Sequence, residues 1–400
     1  MRLVAGFLSI AEAQQLILER VGPLPAEVVP IDAAARRVLA EPARAVVDLP
    51  PFPSSAMDGY AVRAADTPGR LAVVARAAAG APAAVRLESG QAIGIATGGV
   101  VPEGADAIIP VEYVVEDGNE IETHDSAAAG AHVRPRGGDI RAGQVVAEAG
   151  TSLTPARLGA LAAAGIAEVR CTRRPRAAVV PTGTELRRPG ETLEAGQVYE
   201  ANGLILSAQL RGAGADVELA PAVGDEEAAH REALERALDA DLVVTSGGVS
   251  VGPHDLVRRV EAELGVEEVF WRVAVKPGKP IAFGVRGDTL VFGLPGNPVS
   301  ALVGFELFVR PAVRALQGVR DPLPFFEHGR LAGARRRNSQ RDELVRARLR
   351  RSDEGVILEP LSGQESHMIA RAADADALVL VARGEGELPD GAPVDYLRLD

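Results

Sequence analysis

The chain has 400 residues, of which 47% are hydrophobic and 24% charged, and it carries a formal net charge of −12. That length accommodates roughly two to four domains of ~100–200 residues, each able to bury a core. The acidic balance excludes a general nucleic-acid binder, which needs a basic footprint, and the single Cys171 excludes an intrachain disulfide and a cysteine-based zinc site. In the absence of a long apolar run no membrane partner is expected. The apolar stretch near Met1 is too short for a secretory core, so the expected location is cytoplasmic.

In chain order, Ser9 and Glu12 form a capping box that predicts a helix over 9–21, and Asp32 opens a second short helix. The proline-rich loop P-P-F-P-S-S-A-M-D-G-Y-A-V (50–62) delivers Asp58 into a turn. Residues 71–146 alternate short valine- and isoleucine-rich runs with glycine and proline, which reads as a β-rich module. Thr154-Pro155 starts a helix that ends at Gly165, with a hydroxyl at the N-cap and proline at the first helical position. C-T-R-R-P-R (171–176) reads as a linker.

From 176 to 317 the character changes. Strands at 177–181, 216–219 and 242–246 alternate with a helix capped by Asn202, a helix over 225–239 and a helix over about 254–264. Two or three further strands fill 268–293, and a last helix covers about 298–317. Such alternation predicts a doubly wound parallel sheet covered on both faces, with its ligand at the carboxyl ends of the strands. Residues 322–400 return to strand-like runs and read as a small β domain. Within them 330–351 holds nine arginines, and the alternation in D-E-L-V-R-A-R-L-R suggests an exposed strand with a solvated face.

Three loops at those strand ends carry the chemistry: P-T-G-T-E (181–185), T-S-G-G-V-S-V-G-P-H-D (245–255) and G-L-P-G-N-P (293–298). Glycines let backbone N–H groups turn toward an oxyanion without interference from a Cβ, and a helix N-terminus adds positive partial charge. A phosphorylated ligand is the leading expectation. Lys276 and Lys279, held by Pro277 and Gly278, suit phosphate oxygens. Glu185, Asp225 and Asp255 share these loops, and carboxylates beside an anion call for a divalent cation between them, which implies Mg²⁺. Each residue also has an ordinary reading. Asp225 and Asp255 can cap helices, Glu185 can sit in a surface turn, and Asp58 and Thr97 can simply form turns. His254 and the other histidines show no metal-ligand spacing.

Seven blocks occur in order: S-A-M-D-G-Y-A (55–61), T-G-G-V-V-P-E-G-A-D-A-I-I-P-V-E (97–112), R-G-G-D-I (136–140), P-T-G-T-E-L (181–186), S-G-G-V-S-V-G-P-H-D (246–255), K-P-G-K-P (276–280) and L-P-G-N-P-V-S (294–300). Together they resemble the molybdopterin molybdenumtransferase family, which includes the gephyrin E domain, over nearly the whole chain. The resemblance implies an α/β multidomain protein. Its expected parts are a linking domain at 1–46 plus 141–174, a β-rich lobe at 47–140, a doubly wound domain at 175–318 and a C-terminal β-barrel-like domain at 319–400. It also implies that adenylyl-molybdopterin and molybdate are converted to molybdenum cofactor and AMP with Mg²⁺. The implied homodimer has an active cleft that draws on both subunits, the lobe of one bringing Asp58, Thr97 and Asp139 to the doubly wound domain of the other.

By the same resemblance Glu185, Lys276 and Lys279 join the catalytic set, and Asp225 and Asp255 are the Mg²⁺ ligands. Ser246, Gly247, Gly248, Ser250, Pro295, Gly296, Pro298 and Ser366 bind substrate. Other proteins of molybdenum cofactor biosynthesis are the expected partners. The sequence departs from the family where asparagine is more common than Ser54, serine than Ala201 and glycine than Glu365. Two other readings share parts of this pattern. A molybdopterin adenylyltransferase needs only the 176–317 module, so the lobe and the C-terminal domain argue against it. A non-enzymatic scaffold on the same dimer is opposed by the full set of charged positions and by the lack of a long linker.

Overall fold

The computed structural model describes residues 7–224, 226–248, 256–353 and 355–399. Two compact units result, one of Met1–Glu27, Arg36–Ala40 and Thr172–Asp400, the other of Val28–Ala35 and Glu41–Cys171.

The first unit is built on a six-stranded sheet. Its order is Asp216–Leu219, Arg176–Pro181, Leu242–Ser246, Thr289–Leu294, Ala282–Arg286 and Glu267–Trp271. The first four strands are parallel, as expected, but Ala282–Arg286 runs against them and pairs antiparallel with both of its neighbours, so the sheet is mixed. The reason is local: only Gly287 and Asp288 join Ala282–Arg286 to Thr289–Leu294, and Gly287 has φ +57°. A two-residue turn closes a hairpin and cannot make a parallel crossover. Both faces are covered. Ala177 and Val179 enter the core that holds Leu206 and Leu210 of the helix Asn202–Gly212, whereas Ala178 and Val180 enter another with Ala233 and Ala237 of the helix Glu227–Ala237. Alternate residues of a strand face opposite sides, so a strand buried on both faces reads as an unbroken apolar run.

Helix boundaries shift at several places. The first helix is Ile10–Leu18, with the predicted capping box formed by Ser9 and Glu12. The short helix expected at Asp32 is a single 3₁₀ turn, Ile31–Ala33. The helix expected from 298 to 317 is interrupted by a π-helical turn, Phe305–Val309, between Pro298–Gly304 and Arg310–Leu316. Pro311 lacks an N–H, which deprives the Leu307 carbonyl of its helical donor. Gln14 Nε2 of the first helix donates to that carbonyl at 2.9 Å.

The chain passes from the second unit to the first between Cys171 and Thr172, within the segment read as a linker, and that segment is held by hydrogen bonds. Cys171 and Thr172 end the strand Glu168–Thr172, and Arg173 forks onto Asp241 with two hydrogen bonds of 2.6 Å. The Arg176 N–H adds a third at 2.7 Å. Burial would raise the Asp241 carboxyl, but these donors outweigh it and hold the group below its usual value. Asp241→Asn should therefore cost about 2–3 kcal/mol of stability at neutral pH. A carboxyl with a depressed folded-state pKa stabilises above its unfolded value and loses that contribution as pH falls through the folded one. The gap between wild-type and variant in urea melts should close below about pH 4. A gap that persists there would assign the effect to packing.

The rest of this unit is a small barrel, as expected. Asp342–Ser352, Gly355–Pro360, Glu327–Leu331, Pro393–Arg398 and Ala377–Val381 pair in that order, and the last closes on the first. A strand from the α/β part, Val275–Lys276, adds in parallel to Asp342–Glu343.

The second unit carries a six-stranded sheet in the order Ala107–Pro110, Gly59–Val62, Gln91–Ile95, Gly69–Ala77, Glu120–Thr123 and Val114–Asp117. The helix Pro155–Ala163 is capped by the Thr154 hydroxyl as predicted. Gly59 in the M-D-G-Y turn has a steric reason: a Cβ there would lie 2.0 Å from the Ile109 carbonyl oxygen.

Candidate active site

Three parallel strands of the first unit end in step, with Pro181 paired to Ser246 and Ser246 to Leu294. Their loops leave the sheet side by side and line a cleft of about 790 Å³. Thr182, Gly183 and Glu185 come from the first loop, Ser246, Gly247 and Gly248 from the second, and Pro295, Gly296, Asn297 and Pro298 from the third. Parallel strands without a hairpin between them must send their chains away at the carboxyl end, which is why the loops converge.

The loops are fastened to one another. Thr182 Oγ1 donates to the Ser246 carbonyl at 3.1 Å, and the Gly247 N–H donates to the Leu294 carbonyl at 3.0 Å. Asn202 bridges the second and third loops, donating from Nδ2 to Ser246 Oγ at 2.7 Å and to the Gly296 carbonyl at 2.8 Å. The expectation that Asn202 caps its helix is thus corrected. It is the first helical residue, the cap position is Ala201, and Ala201 makes no side-chain hydrogen bond there. The amide has two hydrogens and spends both across the cleft floor.

Gly247 and Gly248 have φ +97° and +65°, and a Cβ on Gly247 would lie 2.6 Å from the Thr182 carbonyl oxygen. The Gly247 N–H is already used by Leu294, so an anion cradle here draws on Gly248 instead. Ser250, Asp225 and Asp255, with His254, lie outside the described residues.

Other walls were not read from the sequence. Tyr199 and Val198 stand on a two-stranded flap, Leu186–Arg187 paired with Val198–Tyr199, and line the cleft half-exposed. His230 of the helix Glu227–Ala237 and His367 of the loop after Gly355–Pro360 also line it. Ser366 is brought to the rim: its hydroxyl accepts from Asn297 Nδ2 at 2.9 Å, and its carbonyl accepts the Val299 N–H at 3.1 Å.

Lys276 and Lys279 are not among the residues lining this cleft. Lys276 Nζ is 2.7 Å from the buried carboxylate of Glu343, which Arg335 also approaches at 3.5 Å. The register of Val275–Lys276 on Asp342–Glu343 places this cross-strand pair. Lys279 Nζ sits 4.8 Å from the centre of the Phe7 ring. Among the described residues no group of three histidine, cysteine, aspartate or glutamate side chains is arranged to hold a metal. Among the described residues Glu185 and Glu200 are the carboxylates lining the cleft, and Glu200 accepts the Gly203 N–H at 2.7 Å.

In the second unit Asp58 and Thr97 are joined. The Thr97 main-chain N–H donates to Asp58 Oδ1 at 2.6 Å, and that bond, with a second from the hydroxyl, holds the carboxyl below its usual range. Asp58 opens a groove of about 400 Å³ that also holds Tyr60, Arg76 and Glu116. The Tyr60 hydroxyl donates to Glu116 Oε1 at 2.5 Å. Asp139 lies apart from this groove, on the loop whose N–H at Asp139 donates to the Leu49 carbonyl at 3.0 Å.

Comparison with known proteins covers almost the whole chain. The MoeA N-terminal region (domains I and II) matches residues 8–165, a probable molybdopterin binding domain matches 178–315, and the MoeA C-terminal region (domain IV) matches 328–399. A molybdopterin molybdenumtransferase 2 of Mycobacterium tuberculosis is 41% identical over 78% of this chain and 81% of its own length. A molybdopterin molybdenumtransferase of Haemophilus influenzae is 40% identical over 78% of this chain and 79% of its own. A crystal structure of a molybdopterin biosynthesis MoeA protein from Pyrococcus horikoshii superimposes with a TM-score of 0.85 at 27% identity, covering 98% of this chain and 100% of that one.

Proposed function

The chain belongs to the molybdopterin molybdenumtransferase family, and from that premise we propose that it consumes adenylyl-molybdopterin and molybdate and releases molybdenum cofactor and AMP with Mg²⁺. The observation that carries the reading is the cleft at three strand ends, in a chain that also holds both flanking MoeA regions. A molybdopterin adenylyltransferase has no use for those regions. As an enzyme of this family it transfers molybdenum to molybdopterin. The adenylyl form of the substrate is what the family resemblance implies, and the Mg²⁺ requirement is supported by that resemblance and by the expectation that carboxylates beside an anion share a divalent cation.

Cleaving a phosphoanhydride calls for charge neutralisation and positioning more than for a nucleophile. Gly248 and Ser246 receive the phosphate end, Asn202 and Asn297 fix the loops around it, and Tyr199 offers an apolar face to a heteroaromatic ring. Glu185 would offer Mg²⁺ a hard oxygen donor of the kind it prefers, beside the two expected from Asp225 and Asp255, which lie outside the described residues. The ion neutralises phosphate charge when bound. Lys276 and Lys279 remain the cations for molybdate or the displaced phosphate, with Lys276 released by Glu343 when a stronger anion arrives. Asp58, held ionised by Thr97, orients the reacting group, and Asp139 is the lobe's second carboxylate for the reaction by family resemblance. No helix among the described residues is long and apolar enough to cross a membrane.

We propose further that the active form is a homodimer in which one subunit's lobe serves its partner's cleft, handing its product to other proteins of molybdenum cofactor biosynthesis. Purified protein should release AMP from adenylyl-molybdopterin only when molybdate and Mg²⁺ are both present. Release without molybdate would remove the transfer from the proposal. Mixing Asp58→Asn with Gly247→Ala protein should restore about a quarter of wild-type turnover, since half of randomly assorted two-fold dimers carry one intact site. No restoration would place both residues in a site within one chain.

A further inference from the structure

The arginines of Asp342–Ser352 read as a solvated ladder, but one of them faces inward. Arg346 is 1% exposed. Its Nη1 donates to the Met368 carbonyl at 2.9 Å, and its Nη2 donates to the carbonyls of Gly363 at 2.8 Å and Glu365 at 3.2 Å. Its main chain is engaged as well: the N–H donates to Gln364 Oε1 at 3.0 Å, and the carbonyl accepts from Gln364 Nε2 and the Leu361 N–H, both at 2.9 Å. One residue therefore makes six hydrogen bonds to the loop 361–368.

That loop carries Ser366, bonded to Asn297 and Val299, and His367, which lines the cleft. A barrel needs only an apolar side chain at a buried strand position, and a guanidinium there is costly unless its donors are met. Burial pulls its pKa down, and the charge of Glu365 opposes that. The loop gains what the barrel does not need. Its carbonyls at 363, 365 and 368 lie outside any sheet ladder; those of Glu365 and Met368 also accept the N–H groups of Met368 and Ala372, and the planar fork of Arg346 reaches all three at once.

We propose that Arg346 is a positioning residue for the transfer reaction, fastening the loop 361–368 so that Ser366 and His367 stand at the cleft. The inference rests on the proposed function for its kinetic consequence but not for its structural one. In the full-length protein, Arg346→Met should raise hydrogen exchange of amides 361–368 by about tenfold or more, while strands 176–181 and 242–246 keep their protection. kcat/KM for AMP release should fall about tenfold, as expected when groups at a site are misplaced by about an ångström. In a Ser366→Ala background the same change should cost less than about twofold, because the loop then has less to position. Arg346→Lys should not rescue, since one ammonium cannot span three carbonyls.

Unchanged exchange at 361–368, or losses that multiply fully with Ser366→Ala, would overturn the proposal. Should Arg346→Met fail to fold, Gln364→Ala cuts the same loop from its other side and is read by the same criteria. A wild-type protein that releases no AMP would count against the function alone, with the exchange result still deciding the positioning role.

Discussion

Asp58→Asn is expected to reduce AMP release by about a thousandfold while leaving the fold unchanged, the size of effect that follows from losing a positioned, charged group. An asparagine Oδ1 can still accept the 2.6 Å bond from the Thr97 N–H, so the turn and the Gly59 close approach survive. Only the charge goes. In the wild type the carboxyl is held below its usual range by the Thr97 N–H and hydroxyl, so it is ionised at neutral pH. Any acid limb of turnover due to Asp58 should therefore fall below about pH 4 and vanish in the variant. Single-turnover AMP release with thermal melting checks both halves. Full turnover would remove Asp58 from the reaction, and a lowered melting temperature would make its role structural.

The second large effect is expected at Gly247. Alanine there would have to hold φ +97° with its Cβ 2.6 Å from the Thr182 carbonyl oxygen and 2.8 Å from Thr182 Oγ1. Thr182 cannot step aside, because its N–H and its hydroxyl both donate to the Ser246 carbonyl. Strain of about 1–3 kcal/mol and a loop displaced by roughly an ångström should lower turnover about a hundredfold. Gly118→Ala is the control. Gly118 has φ +65° with nothing within 4 Å of a Cβ, so that variant should lose about 1 kcal/mol or less and keep full turnover. Equal losses in the two variants would assign the Gly247 effect to backbone preference instead of to the site.

Much of the architecture is legible in local pattern. The capping box at Ser9 and Glu12, the Thr154 cap and the apolar runs at 177–181 and 242–246 each depend on neighbours a few positions away, and each forms as read. The strand-end loops follow from the same logic, since a parallel strand must hand its chain to a crossover at its carboxyl end. Local pattern misled where a residue's partner is distant. Asn202 satisfies every local rule for a cap, yet its amide serves Ser246 and Gly296. Arg346 alternates correctly for an exposed ladder, yet it faces a loop that returns some twenty residues later.

By itself the sequence determined the α/β character, the three converging loops and a small C-terminal β domain, because glycines, caps and apolar periods act over short separations, and its seven ordered motif blocks determined the family. Only the tertiary structure decided that Ala282–Arg286 runs antiparallel to both of its neighbours in the sheet, that Glu343 holds Lys276 and that Ser366 reaches the cleft rim through Asn297. These outcomes rest on hydrogen bonds and ion pairs between residues far apart in the chain. Which donor meets which acceptor is set by strand register and loop packing, and neither is encoded in any local period.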